Sequence, residues 1–183
     1  MKRMIVIGSA LAALLAHPAL ADDNFKLTSP DIMEGRPLAE TFVLNGFGCG
    51  GDNLSPALEW HHVPEGTKSF VVTAYDPDAP TGSGWWHWVA FDIPADVTAL
   101  PRGAGSQDGS MPDGAIQSRT DFGRPGFGGA CPPPGEVHRY RFTVHALAVE
   151  SLGLKAEDSA ALVGFMTKAN VLATADITAV YTR

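Results

Sequence analysis

The sequence predicts a mainly β fold, an antiparallel β-sandwich with one helix ahead of its last strand. Three observations carry this. Short runs rich in β-branched and aromatic residues recur along the chain between connections rich in Pro, Gly and Asp, the punctuation of antiparallel sheets rather than of βαβ units. The connection over 76–84 is too short for a crossover helix, so the strands flanking it pair antiparallel. A single helical stripe follows residue 156.

The chain opens MKRMIVIGSALAALLAHPALA. Lys2 and Arg3, an apolar run over 4–16 and the small-x-small site Ala19-Leu20-Ala21 predict a secretory signal peptide cleaved after Ala21. The run is too short for a comfortable bilayer span, and no cysteine follows it to carry a lipid. The expected organisation is a signal peptide over 1–21 and one domain over 22–183, located in the periplasm or outside the cell. The formal net charge is −7, and losing Lys2 and Arg3 makes the mature chain more acidic still. That argues against nucleic acid and anionic membranes as partners. No later segment is long and apolar enough to be a transmembrane span.

Strands are expected at 25–27, 41–44, 57–61, 69–75, 86–93, 138–149 and 177–181. The fourth stops at Asp76-Pro77, where proline cannot donate to a ladder, and the fifth is closed by Pro94. Strict alternation over 138–149 sets His138, Tyr140, Phe142, Val144 and Ala146 on one apolar face, with Arg139, Arg141, Thr143 and His145 on the other. The same rule groups Trp85, His87, Val89 and Phe91. With Val89 and Phe91 facing the core, His87 sits at its mouth, and Asp76 falls close by. Taken singly, each histidine reads more readily as a satisfied structural residue. Taken together, their matching strand phases favour a shared site. A capping residue within 156–159 precedes Ala160-Ala161-Leu162-Val163-Gly164-Phe165-Met166, and Leu172 continues the stripe, which predicts a helix of about 15 residues. The segment 101–134 holds eight glycines and little periodicity, the character of a binding loop or of a mobile surface loop.

Several motifs carry less. Asp76-Pro77-Asp78 has the carboxylate pair of a hard-cation site, but its prolines set the two side chains apart. Asp76, His87 and His138 are suitable zinc ligands without diagnostic spacing, and they define the alternative reading, an Asp/His hydrolase. Gly46-Phe47-Gly48-Cys49-Gly50-Gly51 satisfies GxGxxG but runs into Asp52-Asn53-Leu54-Ser55-Pro56 rather than a helix, so the dinucleotide reading fails on context. No cofactor is called for. The two cysteines, Cys49 and Cys131, either bridge in an oxidising compartment or remain buried thiols in glycine-rich loops.

Five stretches, in this order, resemble the phosphatidylethanolamine-binding protein family, also called the Raf-kinase-inhibitor-like family, and most of all its secreted bacterial branch. They are Asn53-Leu54-Ser55-Pro56-Ala57-Leu58-Glu59-Trp60, Tyr75-Asp76-Pro77-Asp78-Ala79-Pro80, Trp86-His87-Trp88, Gly128-Gly129-Ala130-Cys131-Pro132-Pro133 and His138-Arg139-Tyr140. The resemblance spans nearly all of the expected mature chain. It implies an antiparallel β-sandwich with a small pocket for phosphate or a phosphoryl head group, lined here by Asp76, Trp85, His87, Pro132, Pro133, His138 and Tyr140. It also implies a non-enzymatic binding protein, a homodimer, and a protein partner that the chain inhibits or modulates. In such a pocket a charged imidazole beside the Tyr140 hydroxyl holds the anion, while Asp76 orients a histidine or receives an ammonium group.

Overall fold

The computed structural model describes residues 25–183, so the expected leader over 1–21 lies outside the described residues. The strands are β1 (Lys26–Thr28), β2 (Asn45–Gly46), β3 (Cys49–Gly50), β4 (Leu58–His61), β5 (Ser69–Asp76), β6 (Trp85–Pro94), β7 (Ala99–Leu100), β8 (Ile116–Gln117), β9 (Val137–Leu147) and β10 (Val171–Thr182). One helix, α1 (Ala160–Asn170), precedes β10. All pairings within the sheets are antiparallel. The central sheet runs β10-β9-β5-β6-β8, a smaller one runs β1-β4-β7, and β2 and β3 form a hairpin.

The main core lies between the two larger sheets. Leu27, Leu58, Trp60 and Leu100 from the smaller sheet join Phe70, Val72, Ala74, Trp88, Ala90, Ile93, Tyr140, Phe142, Val144 and Ala146 from the central one. Fully burying a large apolar side chain is worth about 1.5–3 kcal/mol, and this layer holds the β5–β9 pair rigid behind the site. The other face of the central sheet contributes Val71, Val89, Phe91 and Leu147 to a second cluster under α1, with Leu152, Ala160 and Val163. Ser159 caps that helix, its hydroxyl accepting from the Leu162 amide at 3.2 Å.

Strict alternation fails in β6, and His87 does not share a face with Val89 and Phe91 as alternation predicts. Ala74 stands opposite Trp88 and Tyr75 opposite Trp86, which leaves His87 as an extra residue. Such a bulge reverses the strand phase. Val89 and Phe91 therefore face the α1 cluster, whereas His87 lies edge-on to Tyr140, with ring centroids 5.1 Å apart, on the side of the main core. A second shift, between Phe70 opposite Ile93 and Val72 opposite Ala90, includes Asp92 at φ 53° and returns Ile93 to the main core. The bulge is closed from outside the sheet: the Trp86 amide donates to Asp121 Oδ2 at 2.7 Å and the Gly128 amide to the His87 carbonyl at 2.9 Å.

Three other expectations shift. Residues 41–44 are not a strand: Glu40–Phe42 form a 3-10 turn, the carbonyls of Glu40, Thr41 and Val43 accept from the amides of Asp52, Leu54 and Asn53 respectively, and only an isolated bridge from Val43 to Ala130 remains of a ladder. The helix has 11 residues, and Leu172 belongs to β10, because pairing with β9 already begins at Val171 opposite Leu147. The segment 101–134 is tied down by bonds such as Gly105 amide to Ser55 Oγ and Gly129 amide to Asn53 Oδ1.

Candidate functional site

The end of β5, the start of β6 and the start of β9 meet at one end of the central sheet, and residues 131–134 supply another wall. The cavity between them measures about 360 Å³, near the small end of ligand sites. All seven residues expected from the sequence line it: Asp76, Trp85, His87, Pro132, Pro133, His138 and Tyr140. The position opposite Asp76 in the ladder is Trp85, so the end of one strand and the start of the next enter together.

Asp76 is buried, and a buried carboxylate needs donors for both oxygens. Oδ1 accepts the amides of Asp78 at 2.8 Å and Ala79 at 3.1 Å, closing the Asp-Pro turn on itself. Oδ2 lies 2.7 Å from His138 Nδ1. Asp78 turns the other way, onto Arg139, whose guanidinium holds that carboxyl down at about 2. The two aspartates of the motif thus diverge, one oriented inward on a histidine and one outward on an arginine.

His138 is held between two carboxylates, since its Nε2 lies 3.0 Å from Glu136 Oε2. Burial works against the imidazolium, but hydrogen bonds to Glu136 and Asp76 outweigh it and raise the pKa above its ordinary value. His87 goes the other way. Burial lowers its pKa, against hydrogen bonding of its Nδ1 to the Gly128 carbonyl at 2.7 Å. That bond fixes the proton of the neutral ring on Nδ1 and leaves Nε2 as an acceptor. Of the two rings, His138 is therefore held toward its charged form and His87 toward its neutral form.

Two donors in the wall are unpaired: the Tyr140 hydroxyl and Trp85 Nε1 are buried without a hydrogen-bond partner. Burial pushes the Tyr140 phenol up, so it keeps its proton. Around them the wall is apolar, with Phe47, Ala79, Pro80, Phe122 and Pro134, and a low dielectric strengthens any polar contact made inside. Among the described residues, no group of three or more His, Cys, Asp or Glu is placed to hold a metal ion.

Several members of the site escaped the sequence reading. Arg183 lines the cavity, and its Nε donates to the Pro132 carbonyl at 2.7 Å. The signal was indirect: in the antiparallel β9–β10 pair Tyr181 faces His138, so whatever follows β10 lies beside the start of β9. Phe122 comes from the glycine-rich segment and packs on both Trp85 and His87, at 5.3 and 5.4 Å between centroids. Glu136, just ahead of β9, does not line the cavity but reaches it through His138 Nε2. Cys49 and Cys131 are bonded to each other, with Cα atoms 6.0 Å apart, which joins the β2–β3 hairpin to the 131–134 wall. The hairpin presents Phe47, 71% exposed, against Phe122 at the cavity edge.

A family model described as phosphatidylethanolamine-binding protein matches residues 28–182. The UPF0098 protein YbcL of Escherichia coli (strain K12) is 54% identical over 183 residues, covering 99% of this chain and 98% of that protein. The UPF0098 protein YbhB of the same organism is 56% identical over 156 residues, covering 85% of this chain and 99% of that protein. The crystal structure of E. coli YbcL, described as a new member of the mammalian PEBP family, superposes with a TM-score of 0.85 at 56% identity, covering 87% of this chain and 99% of that one.

Proposed function

The chain belongs to the phosphatidylethanolamine-binding protein family, and on that premise we propose that it is a non-enzymatic binding protein whose cavity takes phosphate or a phosphoryl head group. Family membership supports a binding protein of this type. The finer reading rests on one observation above all: the orphaned Tyr140 hydroxyl and Trp85 indole N–H share a small apolar cavity with a histidine held toward its charged form. A buried donor left unpaired costs about 1–3 kcal/mol. A tetrahedral anion offers acceptors in several directions at once and would relieve both donors.

Asp76 does not oppose this reading, because its oxygens are already occupied by the turn amides and His138. Its part is to hold the imidazole. We place the protein in the periplasm or outside the cell, supported by the leader pattern over 1–21 and the single disulfide. A phosphoryl group displayed by a protein partner would fit the same cavity, and the family resemblance supports a homodimer.

Titration calorimetry with inorganic phosphate and with phosphoethanolamine tests the proposal. Binding should weaken in Tyr140→Phe and in His138→Ala, the latter by about 1.5–3 kcal/mol for a lost charge-assisted bond. Affinities unchanged in both variants would place the anion elsewhere, and turnover of a phosphomonoester would favour the hydrolase.

A further inference from the structure

The only ring nitrogen of His138 not committed to Asp76 is Nε2, and a carboxylate already occupies it. Glu136 Oε2 lies 3.0 Å away, on a side chain that is 53% exposed. Nothing else fixes that side chain among the hydrogen bonds of the described residues: Glu136 is held by its backbone, its amide donating to the Pro133 carbonyl at 3.1 Å, and the adjoining Gly135 amide bonds the Arg183 carbonyl at 2.8 Å. A carboxylate oxygen and a phosphate oxygen are equivalent acceptors for an imidazolium N–H. One N–H serves one of them well.

We propose that Glu136 is an internal stand-in for the anion, a displaceable carboxylate that covers His138 Nε2 in the unliganded protein and competes with an incoming phosphoryl oxygen for it. The inference rests on the phosphate-binding reading of the cavity. Two further features fit it. The His138 side chain is 3% exposed with Glu136 in place, so its Nε2 meets little solvent until the carboxylate swings out. The competing residue also sits in the turn that joins the 131–134 wall to β9, two residues before His138, where a rotation about the side-chain bonds of Glu136 suffices and no strand has to move. Glu136 thereby sets a threshold: an anion that offers Nε2 one weak contact does not displace it, whereas one that also pairs with the unpartnered Tyr140 and Trp85 donors does.

The experiment compares wild type, Glu136→Gln and His138→Ala by titration with inorganic phosphate, and follows the His138 ring by NMR without ligand. Glu136→Gln keeps the shape of the side chain and removes its charge. It should tighten phosphate binding by about three- to tenfold, the scale of a half-exposed ion pair plus relieved like-charge repulsion. It should also lower the His138 titration midpoint with no phosphate present. Binding of equal or lower affinity in Glu136→Gln, with wild-type binding still dependent on His138, would overturn the stand-in while leaving the phosphate site intact. Absence of phosphate binding in both proteins, with the His138 midpoint shifted as expected, would overturn the phosphate reading and the competition together.

Discussion

His87 and His138 line the same cavity, and their surroundings push them to opposite charge states. His87 loses hydration, and the Gly128 carbonyl with the charges of Asp76 and Asp121 recovers less than burial removes, so the neutral ring is favoured; His138 loses hydration too but gains direct hydrogen bonds to two carboxylates. In a histidine NMR titration, His138 should therefore titrate above the reference value of about 6.5 and His87 below it. The reverse order would refute the assignment of the cation. The signs for stability follow. His138, raised in the folded state, contributes stability that is complete below the unfolded pKa and is lost as pH rises through the folded one. His87, lowered, contributes stability that is complete above the unfolded pKa and is lost as pH falls. Melting temperature should fall on both sides of a broad maximum near pH 6.5, the reference value, and His138→Gln should remove the alkaline limb of that loss. Asp78 acts only in strong acid: its carboxyl is held down at about 2 by Arg139, so its contribution fades as pH falls from about 4 toward that value.

At the scale of elements, the bulge in β6 decides the site. Without the extra residue, His87 would face the α1 cluster beside Val89, away from Tyr140. Gly84, just before β6, holds φ at 67°, and a Cβ there would run into the Tyr75 ring and the Asp76 carbonyl. Gly84→Ala should therefore cost about 1–3 kcal/mol in urea unfolding, the scale of a strained backbone position, where a permissive site would give a small gain. These elements also show what could be read from sequence. β9 was legible because its alternation is unbroken: His138, Tyr140, Phe142 and Val144 are buried while Arg139 and Arg141 are not. β6 was not, because its bulge is set by Asp121 and Gly128, distant residues that take up the freed amide and carbonyl groups. The seven site residues were found together, yet His87 reached the cavity by a phase reversal that alternation does not contain. Residues 41–44 have the composition of a strand, but the backbone amides of 52–54 take up carbonyls there that a strand partner would need.

Across the whole molecule, the disulfide links parts that the sheets do not. Cys49 and Cys131 are 82 residues apart, and a cross-link of that span stabilises by up to about 4.5 kcal/mol through the chain entropy of the unfolded state. The double variant Cys49→Ser, Cys131→Ser should unfold at a markedly lower urea midpoint and should bind phosphate less tightly, since the hairpin carrying Phe47 and the wall carrying Pro132 would no longer be joined. Equal midpoints would show that the two loops are held without the bond. The central claim, that the unpartnered donors and His138 form one anion site, meets its most direct test in a crystal of the protein equilibrated with phosphate. The expected result is a tetrahedral anion in the cavity within hydrogen-bonding reach of the Tyr140 hydroxyl, Trp85 Nε1 and His138 Nε2; an empty cavity at saturating phosphate, or an anion bound away from those three atoms, would contradict it.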